Sequence, residues 1–332
     1  MSRDTDNYWL DRAKSRLTTT EKIGLNTIKD ILPIYDRAYQ NVQDAIDSLY
    51  KNYGKKIGIV PDDLRAILSS AERSDWLSIM EKKIRALGMN PEDVYSNRYL
   101  DRLTRLEAFE QQVLWEIRSI TPEELAKSEN GYREIITKAY EMGKEDVREG
   151  LGFEGVKTFA SIDSETMNEI LYSRWQGGNY STRIWANNSI MQERSQHVIR
   201  DILGGGLTTG VPISQMRNQL MERFDVGKYN ATRLVRTETN YFQTQSTLRS
   251  YEDEGVKYYE FVAIMDGRTS DICEALDGKV IAMKDVVEGF NAPPLHPNCR
   301  SAIKLLFEQE AEKRGVASKT EVRKIYKDLE ED

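Results

Sequence analysis

Residues 28–54 read IKDILPIYDRAYQNVQDAIDSLYKNYG. Within this stretch Ile28, Leu32, Tyr35, Tyr39, Val42, Ile46, Leu49 and Tyr53 recur at alternating steps of four and three. Side chains at those steps return to one face of an α-helix, so the pattern is an apolar heptad seam running through about 25 residues. Pro33 predicts a kink or the first turn of a new helix. Gly54 predicts a left-handed cap at the end. Upstream, Thr18-Thr-Thr-Glu21 fits a capping box and predicts a helix start.

The same grammar continues downstream. Pro61-Asp62-Asp63 opens a segment whose Leu64, Ile67, Leu68, Trp76, Leu77, Met80, Ile84 and Leu87 fall at near-helical spacing, closed by Gly88. Asn90-Pro91-Glu92-Asp93 reads as a helix start, with a seam at Leu103, Leu106, Phe109, Val113 and Ile117. Thr121-Pro122-Glu123-Glu124 repeats that signal for a helix running to Gly150. Gly150, Gly152 and Gly155 then interrupt the periodicity and mark a boundary. Beyond it the pattern predicts a helix carrying Met167, Ile170 and Leu171, then helices over 185–203, 212–224 and 228–253. Gly204-Gly205-Gly206 ends the first of these three. It lacks the strand-before, helix-after setting of a nucleotide-binding loop. Lys257–Ile264 and Lys279–Ala282 are the best strands, rich in β-branched and aromatic residues. The expectation is a predominantly α chain, with long helices in a hairpin or bundle and a small α+β domain at the C-terminal end. The division expected is a long-helix domain over 1–155, a second domain over 156–305 and a charged helical tail over 306–332 with Ile325 and Leu329 as its late anchors.

Composition supports helices over a closed sheet. The 332 residues are 39% apolar and 30% charged, against about 45–50% and about 25% in an average globular domain. A chain this poor in core material fits helices that share their apolar stripes with each other or with partner chains. The net charge is −7, and residues 251–300 carry 5 basic against 10 acidic side chains. Gripping nucleic acid through its phosphates needs clustered Lys and Arg, so any such contact is expected to be weak and salt-sensitive. No apolar run reaches the roughly 20 residues that span a bilayer. The first residues lack the apolar core of a signal peptide. The two cysteines, Cys273 and Cys299, read as free thiols or metal ligands.

The chemistry gathers between 236 and 303. There stand Arg236-Thr-Glu238-Thr-Asn240, Asp266-Gly-Arg268-Thr269-Ser-Asp-Ile-Cys273, Leu276-Asp277-Gly278 and Pro293-Pro-Leu-His296-Pro-Asn-Cys299-Arg300. His296 and Cys299 share a short loop stiffened by prolines. A loop that holds imidazole and thiolate before a metal arrives suits zinc, with Cys273 as a third ligand and Asp266 as a candidate fourth. The plainer alternative is a pair of half-buried thiols and a hydrogen-bonded His. Arg236 and Glu238 cannot face each other on one helix. Arg268 and Arg300 bracket the cluster, as loop ties or as anion contacts. A metal hydrolase using Cys273, His296 and Cys299 with Glu274 or Asp266 is the enzymatic alternative. The spacings of zinc deaminases are absent.

Taken together, R-T-E on a helix, a strand, D-x-R-T-x-x-x-C-x-x-L-D-G-K and then P-P-x-H-P-N-C-R resemble the phage Mu F-like minor head domain. The resemblance is specific from Arg236 to Arg300. It extends more loosely through Trp175, Gly177, Arg183 and Ile184 to Tyr8-Trp9 and the Tyr-rich helix after it. This sequence has Ser270 where many members of that group have a cysteine, leaving Asp266, Cys273, His296 and Cys299 as the ligand set. The resemblance implies a structural, non-enzymatic minor head protein of a tailed bacteriophage or prophage, assembled in the host cytoplasm and carried in the virion. It implies the portal protein as partner, with scaffold or major capsid protein as further ones and packaged DNA as a secondary contact.

Overall fold

The computed structural model describes residues 5–55, 58–59, 61–152, 161–201 and 213–331. Gly155 and Gly204-Gly205-Gly206 lie outside them. Four long helices dominate: α1 (Thr5–Tyr53), α6 (Arg105–Gly150), α8 (Tyr180–Arg200) and α9 (Ile213–Asp253). Between α1 and α6 stand a two-stranded hairpin, β1 (Gly54–Lys55) with β2 (Gly58–Ile59), and α2 (Pro61–Arg65), α3 (Ser70–Ala86), α4 (Pro91–Val94) and α5 (Asn97–Leu100). α7 (Ser164–Leu171) precedes α8. The chain then runs β3 (Tyr258–Val262), α10 (Asp271–Leu276), β4 (Val280–Ala282), β5 (Ala302–Leu306), α11 (Glu308–Arg314) and α12 (Lys319–Glu331). β3 is central in an antiparallel sheet of order β4-β3-β5. A mostly helical chain with a small sheet near its C-terminal end is the architecture its periodicity predicts.

Several expected helix boundaries are absent, for one shared reason. Thr18 caps nothing, because its hydroxyl donates to the Lys14 carbonyl inside α1. Pro33 and Pro122 lie within α1 and α6. A proline removes the donor for the carbonyl four residues earlier. Pro33, Pro122 and the residues one turn before them, Lys29 and Arg118, are all exposed. Water can solvate the orphaned carbonyl there, so the helix continues. Asn90 does cap a helix, but α4 lasts a single turn, and the seam that follows it belongs to α6. The two helices expected over 212–224 and 228–253 are one. Gly227 between them serves close packing: a Cβ there would lie 2.5 Å from Met191 Sδ. Gly54 opens β1 instead of capping α1.

Contacts group the chain into two compact units that do not follow sequence order. One comprises Met1–Ile28, Ser128–Tyr180 and Thr232–Asp332; the other comprises Lys29–Lys127 and Ser181–Ala231. The division into 1–155, 156–305 and 306–332 thus remains a functional proposal and is not how the contacts fall.

In the second unit the seam residues Tyr35, Val42, Ile46 and Leu49 are buried. Trp76, Met80, Ile84, Leu103 and Trp115 form an apolar cluster. The Trp76 indole N–H donates to the Ala108 carbonyl (2.9 Å), and the Trp115 indole to the Tyr95 hydroxyl (2.7 Å). Glu124 is buried with Tyr35 and Asn188, whose hydroxyl and amide lie 2.8 and 2.7 Å from Glu124 Oε2. Burial raises the Glu124 carboxyl above its ordinary range.

In the first unit the core lies against the sheet: Trp9, Val147, Leu248, Tyr251, Tyr259, Phe261, Ile281, Ile303 and Leu305 share one cluster with Cys273 and Cys299. Arg16 is fully buried and ties three elements together. It pairs with Asp146 and donates to the Tyr251 hydroxyl (3.2 Å) and to the Ile303 carbonyl (2.9 Å). β5 was not among the expected strands; its five residues are all buried. Lys304 at its centre is neutralised by Glu260 (2.5 Å), which also binds Arg314 of α11 (2.6 Å). The stretch beyond 306 is docked. Ala311 packs with Val280 and Leu306, and Val322 is buried in the main cluster. Tyr326 stacks on Phe290 at 5.1 Å and donates to its carbonyl (2.9 Å). Ile325 joins that cluster, whereas Leu329 is 38% exposed and anchors nothing.

Candidate functional site

Two local structures deliver the three key side chains. The first is the turn from Asp266 into α10. The Asp266 N–H donates to Thr269 Oγ1 (2.8 Å), the Thr269 N–H donates to the Asp266 carbonyl (3.0 Å), and the Thr269 hydroxyl donates to Ile264 O (2.6 Å). Ser270 then caps α10 by accepting the Cys273 N–H (3.4 Å). This places Cys273 in the first turn, facing the core together with Leu276. Asp277 and Gly278 close the hairpin into β4: Asp277 Oδ1 accepts from Ala263 N (2.8 Å), and Gly278 takes a positive φ of 73°.

The second is the loop before β5. The Cys299 N–H donates to the His296 carbonyl (3.2 Å), making a tight turn, and Asn298 adopts φ 59° at its tip. α9 holds this loop from outside. The Asn298 N–H donates to Thr237 Oγ1 (3.1 Å), and the Asn240 amide donates to the Ser301 carbonyl (2.8 Å). Asn291 braces the segment before it, accepting from Val287 N (2.7 Å) and donating to the Asp285 carbonyl (2.9 Å). Its own carbonyl accepts from the buried Tyr259 hydroxyl (3.1 Å).

Cys273, His296 and Cys299 therefore meet. Cys273 Sγ lies 3.2 Å from His296 Nε2 and 3.8 Å from Cys299 Sγ, and the three donor atoms all lie within 4.8 Å of one another. Both sulfurs are buried. Cys299 is held well below the ordinary thiol range by the hydrogen bond from Cys273, assisted by His296 and backbone N–H groups. Cys273 is pushed up, first by its hydrogen bond to Cys299 and then by burial. His296 is raised by its hydrogen bond with Cys299. The pair of thiols thus holds one proton firmly and releases the other easily.

The remaining expected residues are placed differently. Asp266 is not in the cluster. Its carboxylate accepts from Arg300 (2.5 Å) and from the Arg268 N–H (2.8 Å), and the Arg300 hydrogen bond above all lowers it to about 2. Arg300 therefore ties the two loops together, whereas Arg268 contacts Asp266 within its own loop. Glu238 is buried and accepts the Trp175 indole N–H (3.3 Å), which fastens the Trp175–Gly178 turn to α9. Arg236 is exposed, and together with Arg300 and Arg268 it acts electrostatically on the half-buried Glu21 of α1. Glu274, the other proposed catalytic base, is exposed on α10. Thr237, Asn240 and Asn291 went unrecognised in the sequence. The first two lie in the quoted Arg236–Asn240 run, and only the fold shows which neighbour each one reaches.

The donor set is one a borderline-soft divalent cation prefers, and Arg236–Asn240 forms a bracket for the loop that carries two of the donors. No curated protein and no solved structure matches the chain at a significant level. Residues 197–304, spanning the bracket, both loops and most of the sheet, match the family described as Phage Mu protein F like protein, so this segment is similar to the Mu F-like domain of phage head morphogenesis proteins.

Proposed function

We propose that this chain is a structural protein of a tailed-phage head that acts in head assembly at the portal vertex. The observation that carries this reading is the family match over 197–304, which falls on the segment where Thr237 and Asn240 hold the loop that carries His296 and Cys299. The portal is the proposed first partner, with scaffold or major capsid protein as further ones and contact with packaged DNA secondary. The balanced charge supports that order, since tight phosphate binding needs a basic surface. Among the described residues no helix is long and apolar enough to cross a membrane.

The docking surface we assign to the unit formed by 29–127 and 181–231. Most of its seam residues are turned inward, but Trp185 (59% exposed) and Tyr229 (61%) remain at its surface. Trp and Tyr are the residue types that most often anchor interfaces. Deleting residues 1–150 would be a poor test, because both units draw on segments from both halves of the chain. The sharper experiment is co-expression with the portal protein of the same phage, comparing wild type with Trp185→Ala and Tyr229→Ala. Loss of copurification in variants that keep their helical circular dichroism supports the assignment. Undiminished copurification of the double variant rejects it.

A further inference from the structure

We propose that Cys273, His296 and Cys299 form a three-ligand zinc site whose fourth position is open to an exogenous ligand. The separation of the sulfurs is the first argument. With Zn–S bonds of about 2.3 Å, two thiolates on a tetrahedral ion stand about 3.8 Å apart, and a thiolate and an imidazole nitrogen about 3.5 Å apart. The sulfurs here are 3.8 Å apart and Cys273 Sγ is 3.2 Å from His296 Nε2.

The second argument is the imidazole. His296 Nδ1 lies 3.0 Å from the Pro297 carbonyl. A carbonyl only accepts, so Nδ1 carries a proton, which leaves Nε2, the nitrogen that faces the sulfurs, as the one to ligate an ion. Zinc-binding histidines are typically fixed by an outer hydrogen bond of this kind.

The third argument is that the donors are held before any ion arrives. Cys273 is fixed by the Ser270 cap, and Cys299 by its turn on His296 and by the brackets from Thr237 and Asn240. Two thiolates and a neutral imidazole would leave a bound Zn²⁺ with no net charge, which suits a buried site.

The open position follows from what surrounds the three. Among the described residues no further His, Cys, Asp or Glu joins the cluster. Asp266 is committed to Arg300 and to its own turn. Ser270 occupies the place from which a cysteine would complete a C-x-x-C, and its hydroxyl is engaged with the Cys273 N–H. A serine hydroxyl is a poor zinc ligand, so water completes the tetrahedron until a stronger donor replaces it.

The test uses the full chain and the metal alone. Purified protein, loaded with Zn²⁺ and desalted, should hold one zinc per chain by elemental analysis. Cys273→Ser and His296→Gln should each lose it while far-ultraviolet circular dichroism shows the chain still folded. Loaded with Co²⁺, the wild type should show thiolate-to-metal charge transfer and tetrahedral visible bands that shift when azide or imidazole is added. Ser270→Cys should close the site, abolishing that shift and slowing zinc loss to a chelator. A folded wild type that retains no zinc overturns the site. A cobalt spectrum in the wild type that ignores added ligands overturns the open position. Wild-type retention unchanged by both ligand substitutions places the metal elsewhere and rejects these residues as its ligands.

Discussion

The unit that holds the sheet and the unit that holds the two tryptophans of α3 and α6 fill their interiors by different chemistry. In the second, Trp76, Met80, Ile84 and Trp115 give an ordinary apolar core. In the first, α9 is buried from Glu238 to Thr244 on every side, and Glu238, Thr239, Asn240, Gln243, Thr244, Ser246, Thr247 and Ser250 are all interior. Small polar side chains can line a helix interior when their hydroxyls turn back onto their own backbone. Thr247 donates to the Gln243 carbonyl (2.8 Å) and Ser250 to the Thr247 carbonyl (2.7 Å). Neighbouring helices then approach closely: a Cβ on Gly143 of α6 would sit 2.0 Å from Ser250 Oγ. The shortage of apolar residues in the whole sequence is therefore met in part inside the chain, by polar packing, and does not by itself require seams left open for partners.

This contrast can be broken most severely at Arg16. Arg16→Ala would leave the buried Asp146 with Arg12 (2.6 Å) as its remaining arginine and would take a donor from the Ile303 carbonyl, so it should destabilise the chain by about 3 kcal/mol in denaturant unfolding. Arg16→Met with Asp146→Leu should recover part of that loss, because no carboxylate is then left in the interior, although Arg12 gives up its Asp146 partner. If the single change costs under about 1 kcal/mol, the polar pin is not what ties α1 and α6 to β5.

The polar packing itself is tested next. Gly143→Ala should cost about 1–3 kcal/mol by overpacking against Ser250. Adding Ser250→Gly should relieve part of it, and additive losses in the double variant would show that the two residues do not meet.

The unit with the apolar tryptophan cluster also buries carboxylates, Glu110, Glu116 and Glu124, and the last of these responds to pH. Glu124 is raised by burial, so folding favours its protonated form. The stability this group contributes is full below the unfolded carboxylate range and is lost as pH rises through the raised value. Glu124→Gln keeps a neutral hydrogen-bonding group beside Tyr35 and Asn188. The variant should show a smaller drop in Tm between mildly acidic and neutral pH than the wild type, and an identical pH profile would show that Glu124 is not the titrating group.

The smallest effect is expected at the C-terminal helix. Leu329→Ala should change stability by no more than about 0.5 kcal/mol, whereas Val322→Ala should cost about 0.5–2 kcal/mol, as expected for a buried side chain in the main cluster. Equal costs would mean that α12 docks through a different face.

Much of this protein was legible before any coordinates. Period-3.5 seams specified long helices, because an apolar face must be buried somewhere. The β-branched and aromatic run at 257–264 specified the central strand. The meeting of Cys273, His296 and Cys299 was readable from residue types and loop-stiffening prolines. Other features required three dimensions. Whether Pro33 and Pro122 end a helix depends on which face they occupy, and that is set by partners distant in sequence. Lys304 breaks the apolar run of β5 and hides it in the sequence, and the Glu260 carboxylate of β3 makes that lysine tolerable in a strand interior. Asp266 could not be removed from the ligand set by spacing, since its engagement with Arg300 crosses 34 residues.

What the sequence by itself determined, then, is the kind of element each segment forms and the identity of the scarce donors, because both follow from local periodicity and side-chain chemistry. Only the tertiary structure decided that Asp266 stays out of the donor cluster, that Thr237 and Asn240 hold their loop, and that the interior of α9 is polar. Those outcomes depend on contacts between residues far apart in the chain, where burial sets the cost of every unpaired charge and the room for every side chain.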